Sequence, residues 1–280
     1  MRRRPGRPRI GENDGRKDGI DLHLQSADDV WGRIEALARA KPGGVVATDG
    51  DGTLWAGDVG EDLFHAFLDR ADVLPPALVA IRREAREHAL PDAGAGDDVA
   101  RRIYEAYVAG HFPEERVCEL MTWCFAGWTR ARVQQFASDV VERVGLGARL
   151  HREVIHVLDR ARAAGIETVL VSASPLAVVL EAGRRVGFDE AHIVAARPRF
   201  EGDVMRAEVE RPIPYGPGKV SRLRERIGDR TLYAAFGDNA FDVAMLASAQ
   251  VPVAVRPKPK LRDRAHEVPG LVELAPEGKG

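Results

Sequence analysis

Short apolar runs alternate with amphipathic stretches along most of this chain. Five of the runs have the length and composition of buried strands, at residues 45–48, 168–171, 192–196, 232–236 and 251–255. Stretches with helical periodicity precede or separate them, at residues 26–41, 149–164, 175–187, 217–227 and 239–249. Strands that alternate with helices predict a parallel sheet covered by helices on both faces. The predicted fold class is therefore a doubly wound α/β sheet.

One long segment interrupts this alternation. Residues 59–148 contain no strand-like pattern and indicate four or five consecutive helices, punctuated by prolines and glycines. They predict an all-helical cap inserted between the first two of the five strands. A second interruption lies around Glu201-Gly202-Asp203, where two extended runs flank a turn and predict a β-hairpin.

The same patterns give a domain organisation. We predict a disordered basic tail at residues 1–25, an α/β core at 26–58 and 149–273, the helical cap at 59–148, and a short tail at 274–280. The first tail contains Gly6-Arg7-Pro8, which resembles the core of an AT-hook. One short basic match favours a solvated tail, and a nucleic-acid-associated protein is the alternative from a different functional class.

Composition restricts the classes of function. The chain has 280 residues, and 41 Lys and Arg against 43 Asp and Glu give a formal net charge of −2. That balance supplies no overall field that would attract nucleic acid or an anionic membrane. Two cysteines, Cys118 and Cys124, are too few for a disulfide framework and suit a reducing compartment. No apolar run approaches the roughly 20 residues of a membrane span. We expect a soluble cytoplasmic protein, with its oligomeric state unspecified.

Chemistry-bearing side chains follow the predicted strands. These are Asp49 and Asp51 after the first strand, Ser172 after the second, and Asp238 and Asp242 after the fourth, with Lys219 opening the preceding helix. Because the carboxyl ends of parallel strands meet at one edge, we expect these side chains to converge. Asp49 and Asp238 would form a hard oxygen site that suits Mg²⁺. The metal and Lys219 would neutralise a phosphoryl group, so that a carboxylate could attack it.

The residues that carry this chemistry resemble a known family. Asp49-Gly50-Asp51-Gly52-Thr53 resembles the first motif of the haloacid-dehalogenase-like (HAD) superfamily. The other three motifs are matched in order, by Val169 to Ser172, by Lys219, and by Gly237 to Asp242, so the resemblance spans about residues 43–256. The position of the helical insertion is similar to the phosphoserine-phosphatase-like branch. Two features depart from those phosphatases, since Ala173-Ser174 replace a Gly-Gly pair and Phe241 replaces an Asn.

The resemblance implies a role for each matched residue. Asp49 would be the nucleophile that becomes an aspartyl-phosphate, and Asp51 the general acid and base. The Asp51 backbone carbonyl would join Asp49 and Asp238 around Mg²⁺. Lys219, oriented by Asp242, would neutralise the phosphoryl group. The predicted phosphate-binding residues are Gly50, Gly52, Thr53, Ser172, Ala173 and Lys219, and the predicted pocket-wall residues are Trp55 and Asp58.

These expectations give one preferred function. We predict a magnesium-dependent phosphatase that hydrolyses a small phosphorylated metabolite, such as a phosphoserine-like phosphomonoester, through phospho-Asp49. A phosphotransferase that passes the phosphoryl group to an acceptor alcohol is the alternative within enzymes.

Overall fold

A computed structural model describes residues 22–277 of the chain. Its centre is a seven-stranded sheet with the strand order β1-β9-β8-β7-β2-β3-β4, and β5 and β6 form a separate antiparallel hairpin. All neighbours in the large sheet are parallel. The strands are β1 (His23–Gln25), β2 (Val45–Asp49), β3 (Glu167–Pro175), β4 (Ile193–Ala196), β5 (Pro198–Glu201), β6 (Val204–Val209), β7 (Leu232–Gly237), β8 (Val251–Val255) and β9 (Val272–Leu274).

Helices cover both faces of the sheet and form the cap. They are α1 (Ala27–Ala40), α2 (Val59–Arg70), α3 (Pro75–Glu87), α4 (Gly96–Val108), α5 (Glu114–Trp123), α6 (Arg130–Arg143), α7 (Arg152–Ala163), α8 (Leu176–Arg184), α9 (Pro217–Ile227), α10 (Val243–Ala247) and α11 (Pro259–Asp263). Five of them, α2 to α6, lie between β2 and β3. The helical insertion after the first predicted strand is therefore present.

Alternate residues of the central strand pack into two separate cores. Val46 of β2 belongs to a core that includes Ile34 of α1, whereas Val45 and Ala47 belong to a core that includes Leu223 of α9. Successive side chains of a strand point to opposite faces, so β2 is buried on both sides. This double burial explains why β2 begins with three consecutive apolar residues, Val45 to Ala47, before Thr48 and Asp49.

The cap has an aromatic core and is joined to the hairpin. Phe67, Phe125, Trp128 and Phe136 pack together, with ring centroids between 4.6 and 5.9 Å apart. The Met205 N–H of β6 donates to the Trp128 carbonyl at 2.9 Å, and the Gly127 N–H donates to the Met205 carbonyl at 2.9 Å. The hairpin therefore packs on the cap although it follows the sheet strand β4.

The structure confirms the predicted fold class, the five strands and the hairpin. It also contains two sheet strands that the sequence patterns did not predict, β1 and β9, which pair with each other at the sheet edge. With three residues each, they are too short to show a period of two. β1 lies inside the segment predicted as a disordered tail, so that prediction was wrong for residues 23–25, and β9 crosses the predicted core limit at residue 273.

The remaining domain limits stay predictions. The AT-hook-like residues lie outside the described part of the chain. Within residues 22–277, no helix is long and apolar enough to cross a membrane.

Candidate active site

Asp49 is the last residue of β2, and its carboxylate is held from both sides. It is 2% exposed. Its Oδ1 accepts a hydrogen bond from Lys219 Nζ at 2.5 Å, and its Oδ2 accepts one from Thr53 Oγ1 at 3.0 Å. Burial raises the pKa of Asp49, and the ammonium of Lys219 opposes that effect. The strand end therefore carries a fixed carboxylate whose ionised form depends on neighbouring cations.

Lys219 lies in the first turn of α9 and is fully buried. Its ammonium also donates to Asp242 Oδ1. Burial alone would lower the pKa of Lys219. The charges of Asp242 and Asp49 outweigh this effect, so the pKa of Lys219 is raised overall. The second oxygen of Asp242 accepts the backbone N–H groups of Asp238 and Asn239, at 3.0 and 2.9 Å. Asp242 therefore fixes a protonated lysine against Asp49.

Asp238 follows β7 and faces the same cluster. Its Oδ2 lies 2.8 Å from Lys258 Nζ. Its Oδ1 is buried and has no hydrogen-bond partner among the described residues. Burial, followed by the charge of Asp242, raises the pKa of Asp238 to about 6, although Lys258 opposes the shift. A buried oxygen without a partner is costly, so this atom indicates a missing ligand.

The donor set fits a hard divalent cation. Asp49, Asp238 and Asp242 each place one oxygen within 4.8 Å of the others. Asp242 accepts three hydrogen bonds, one from Lys219 and two from backbone N–H groups, whereas Asp49 accepts two. Asp238 Oδ1 accepts none among the described residues. Because a carboxylate can accept about four hydrogen bonds, Asp49 and Asp238 keep more positions open for a metal than Asp242 does. Two carboxylates, with water and substrate oxygens, are what Mg²⁺ prefers. The predicted third contribution, from the Asp51 carbonyl, stays a prediction.

The carboxylate of Asp51 receives four hydrogen bonds in this arrangement. Its Oδ1 accepts from Trp55 Nε1 at 2.9 Å and from the Val59 backbone N–H at 2.7 Å. Its Oδ2 accepts from the hydroxyls of Ser172 at 3.1 Å and Ser174 at 2.8 Å. Asp51 thus joins the end of β3 to the start of the first cap helix, and the two serine hydroxyls can rotate away from it.

The loop between Asp49 and Trp55 requires glycine at two positions. Gly52 has φ +82°, and a Cβ there would lie 2.1 Å from Asp238 Oδ2. A Cβ on Gly50 would lie 2.9 Å from the Trp55 ring. A side chain at either position would displace the loop from the carboxylates around it. Close packing against protein atoms is therefore sufficient to explain the two glycines of the first motif.

Comparison with known proteins agrees with this geometry. A family model described as haloacid dehalogenase-like hydrolase matches residues 46–247, which include Asp49, Lys219, Asp238 and Asp242. The chain belongs to this family.

Similar proteins support the fold of this HAD hydrolase. A curated protein of Streptomyces azureus, named inhibition of morphological differentiation protein, is 29% identical over 171 residues, which are 59% of this chain and 60% of that protein. A solved structure from Bordetella pertussis Tohama I, described as a protein with unknown function, has a TM-score of 0.61 at 21% identity and covers 82% of this chain and 97% of its own. A phosphoserine phosphohydrolase-like protein from Francisella tularensis has a TM-score of 0.50 at 13% identity, covering 83% of this chain and 95% of its own.

A cavity of about 290 Å³ in this HAD hydrolase is lined by Asp49 and lies between the core and the cap. The core contributes Asp49, Asp51 and Lys258 among others, and the cap contributes residues of α2, α4 and α5. The cap residues are Glu61, Tyr107, Glu114, Val117, Cys118 and Met121. The other lining residues are Gly52, Gly57, Asp58, Ala173, Ser174, Tyr215, Asn239 and Phe241.

The structure brings most of the predicted site residues together. Asp58 and Ala173 line the cavity, and the phosphate-binding role of Ala173 stays a prediction. Trp55 was predicted for the pocket wall, but it is fully buried and donates to Asp51 instead. Thr53 is also fully buried, where it supports Asp49. In the described structure the Ser172 hydroxyl contacts Asp51, so its contact with a phosphoryl group stays a prediction.

Sequence reasoning missed several residues of the site. Lys258 follows β8 and so obeys the same strand-end rule that singled out Asp49 and Asp238. Ser174 also follows the second predicted strand, but no role was assigned to it from the sequence, although its spacing of two from Ser172 on β3 places both side chains on one side. Glu114 and Tyr107 come from the cap, where no sequence motif marks them.

Proposed function

We propose that this HAD hydrolase is a magnesium-dependent phosphatase that acts on small phosphomonoesters through a covalent phospho-Asp49 intermediate. The single observation that carries the proposal is the buried cluster at the floor of the cavity. There, Asp49 is fixed between Lys219 and Thr53 and lies beside the unpartnered oxygen of Asp238. A carboxylate in this setting can approach a phosphoryl group whose negative charge the surrounding cations neutralise.

The first step is attack by Asp49. An oxygen of its carboxylate bonds to phosphorus while the bond from phosphorus to the alcohol oxygen breaks. Asp51 supplies the proton that the departing alcohol takes up. Mg²⁺ held by Asp49 and Asp238 would supply positive charge to the phosphoryl oxygens. Lys219 supplies a second fixed positive charge, since its pKa is raised and it stays protonated.

The hydrogen bonds of Asp51 are compatible with this role. The Ser172 and Ser174 hydroxyls donate to the same oxygen of Asp51. When these hydroxyls rotate toward a bound phosphoryl group, that oxygen is released to hold and transfer a proton. The bonds from Trp55 and Val59 keep the other oxygen in place.

The second step returns the enzyme to its starting state. A water molecule attacks the phosphorus of phospho-Asp49 and gives its proton to Asp51. Inorganic phosphate leaves and the Asp49 carboxylate is regenerated. The cap limits access of bulk water to the cavity before this step.

The direct test is detection of the intermediate. The protein is incubated with p-nitrophenyl phosphate and Mg²⁺, quenched in acid, and the peptide that contains Asp49 is measured by mass spectrometry. We expect a phosphorylated Asp49 peptide in the wild type and none in Asp49→Asn, together with loss of turnover. Full turnover by Asp49→Asn would contradict the mechanism, and equal turnover in EDTA would contradict the metal. Adding alcohol acceptors to the same assay separates hydrolysis from phosphotransfer, because transfer would yield a phosphorylated acceptor.

A further inference from the structure

Three carboxylates of the cap and its junction with the core line the cavity. We call Asp58, Glu61 and Glu114 the roof carboxylates. Asp58 precedes α2, Glu61 lies in its first turn, and Glu114 begins α5. All three line the cavity above Asp49 and are half-buried. Among residues 22–277, none of them forms an ion pair with Lys, Arg or His.

The contacts of the roof carboxylates leave acceptor positions open. Asp58 Oδ1 accepts the Glu61 backbone N–H at 2.8 Å as a helix cap. Glu114 Oε2 accepts the Tyr215 hydroxyl at 3.2 Å. These donors are neutral, whereas an ionised carboxylate can accept about four hydrogen bonds. The three residues therefore present negative charge to whatever fills the cavity.

Aromatic rings complete the same wall. Tyr107, Tyr215 and Phe241 line the cavity, and the Tyr215 and Phe241 ring centroids are 5.2 Å apart. Burial raises the pKa of Tyr107 and Tyr215, so both stay neutral. Ring faces attract a cation and carboxylates pair with it, and together they form a surface suited to an ammonium group.

The cations around the cavity are both committed to its floor. Lys219 is bound by Asp49 and Asp242, and Lys258 by Asp238. No arginine is among the residues that line the cavity. A substrate carboxylate, such as that of phosphoserine, would meet the roof carboxylates without a cation reserved for it. Like charges in a half-buried cavity repel, so the roof disfavours this class of leaving group.

We infer that the cavity selects phosphomonoesters whose alcohol carries a positively charged ammonium group and no carboxylate. This inference rests on the proposed phosphatase function and adds the substrate class to it. The phosphate lies on the floor, where Lys219 and the Mg²⁺ that Asp49 and Asp238 would hold offset its charge. The ammonium lies between the roof carboxylates and the rings of Tyr107 and Tyr215. A cavity of about 290 Å³ is at the lower limit of small-molecule pockets, roughly 300 Å³, so the alcohol is short.

The test compares esters that differ in the charge of the alcohol. Values of kcat/KM are measured with Mg²⁺ for phosphoethanolamine, phosphocholine, phosphoserine, glycerol 3-phosphate and p-nitrophenyl phosphate. We expect at least one of the two cationic esters to exceed glycerol 3-phosphate and phosphoserine by about tenfold or more. Equal or better turnover of phosphoserine or glycerol 3-phosphate would overturn the inference.

Variants of the roof identify the residues responsible. In Glu61→Gln and Glu114→Gln, the ratio of kcat/KM for the better cationic ester to that for glycerol 3-phosphate is expected to fall. Glu115→Gln is the matched control, since Glu115 is the exposed neighbour of Glu114 on α5 and does not line the cavity. A ratio that is unchanged in both roof variants would contradict the assignment.

The experiment separates this inference from the proposed function. If p-nitrophenyl phosphate is hydrolysed through Asp49 but the cationic esters are not preferred, the phosphatase stands and the substrate class is wrong. If no ester is hydrolysed, calorimetry on Asp49→Asn with Mg²⁺ decides the selectivity. Tighter binding of phosphoethanolamine than of ethyl phosphate would uphold selectivity and reject the proposed reaction. Equal binding would overturn both.

Discussion

The floor and the roof of the cavity both contain three carboxylates, but they treat negative charge in opposite ways. On the floor, Asp49 and Asp242 share Lys219, and Asp238 is paired with Lys258. On the roof, none of the three carboxylates has a cationic partner among the described residues. Each floor carboxylate therefore has a cationic partner before a ligand arrives, although two lysines serve three carboxylates. The roof carboxylates gain a cationic partner only when a cation enters the cavity.

Burial explains part of this difference. The floor carboxylates are at most 2% exposed, and a charge so deeply buried must be paired or bound by metal. The roof carboxylates are half-buried, so water can solvate them while the cavity is empty. Pairing on the floor serves both stability and chemistry. The roof carboxylates stabilise the fold only through local contacts, such as the cap that Asp58 provides to α2.

The largest effect is expected at the acid that lies between floor and roof. Asp51→Asn removes the proton donor, and general acid catalysis contributes on the order of 10²–10⁴-fold. The loss in kcat/KM, which reports only on the steps up to formation of phospho-Asp49, should be larger for glycerol 3-phosphate than for p-nitrophenyl phosphate, since nitrophenolate departs readily without a proton. Steady-state kinetics with both esters measure the difference. Equal losses would show that Asp51 does not protonate the leaving group.

The next effect compares the same charge removal on the two surfaces. Asp242→Asn weakens the fixation of a fully buried ammonium, and breaking a buried ion pair costs about 3–5 kcal/mol. Glu61→Gln removes only a favourable charge in the first turn of α2, which is worth less than about 1 kcal/mol. Urea unfolding monitored by circular dichroism gives both free energies of unfolding. Similar losses in the two variants would remove the distinction between a structural floor and a selective roof.

A smaller effect concerns pH and the roof alone. Burial and the charge of Asp51 raise the pKa of Asp58 above its ordinary value. The backbone N–H of Glu61 opposes the shift, the charge of Glu61 adds to it, and Lys258 is a cation that interacts with Asp58. Protonation removes charge from the roof, so the preference for a cationic ester should fall as pH decreases. The ratio of kcat/KM for phosphoethanolamine to that for glycerol 3-phosphate, followed from pH 8 downward, measures this. In Asp58→Asn the ratio should be lower and less dependent on pH, whereas an unchanged profile would contradict the role of Asp58.

Sequence reasoning succeeded where local patterns encode the structure. The strand β2 is recognisable from its apolar residues because it is buried on both faces, and Asp49 marks its carboxyl end. Polar residues likewise mark the carboxyl ends of β3 and β7. This rule was sufficient to bring Asp49, Ser172 and Asp238 to one edge. Lys258 follows the carboxyl end of β8 and obeys the same rule. The three-residue strands at the sheet edge carry too little pattern for prediction.

The roof could not be predicted in the same way. Glu61 and Glu114 lie on helices whose apolar faces determine how they pack, and the pattern gives no sign of which polar residue faces the cavity. Their meeting depends on how α2 and α5 pack against each other and against β3, which is a tertiary property. Trp55 shows the converse error. Its position after the catalytic loop suggested a pocket wall, but a large apolar ring is better buried beneath the loop.

The smallest effect lies beneath the floor, at His151. Its ring Nδ1 contacts the Thr53 carbonyl at 2.8 Å, and the side chain is buried. Burial lowers the pKa of His151, although the hydrogen bond with Thr53 opposes the shift.

A histidine whose folded pKa is lowered favours folding while it is neutral, and this contribution is lost as pH falls through its unfolded pKa of about 6.5. In His151→Gln, the free energy of unfolding measured in urea should therefore change less between pH 7.5 and pH 5.5 than in the wild type. His266→Gln, which alters an exposed histidine, is the control and should keep the wild-type slope. If His151→Gln also kept the wild-type dependence of the free energy of unfolding on pH, the contact between His151 and the Thr53 carbonyl would not contribute to that dependence.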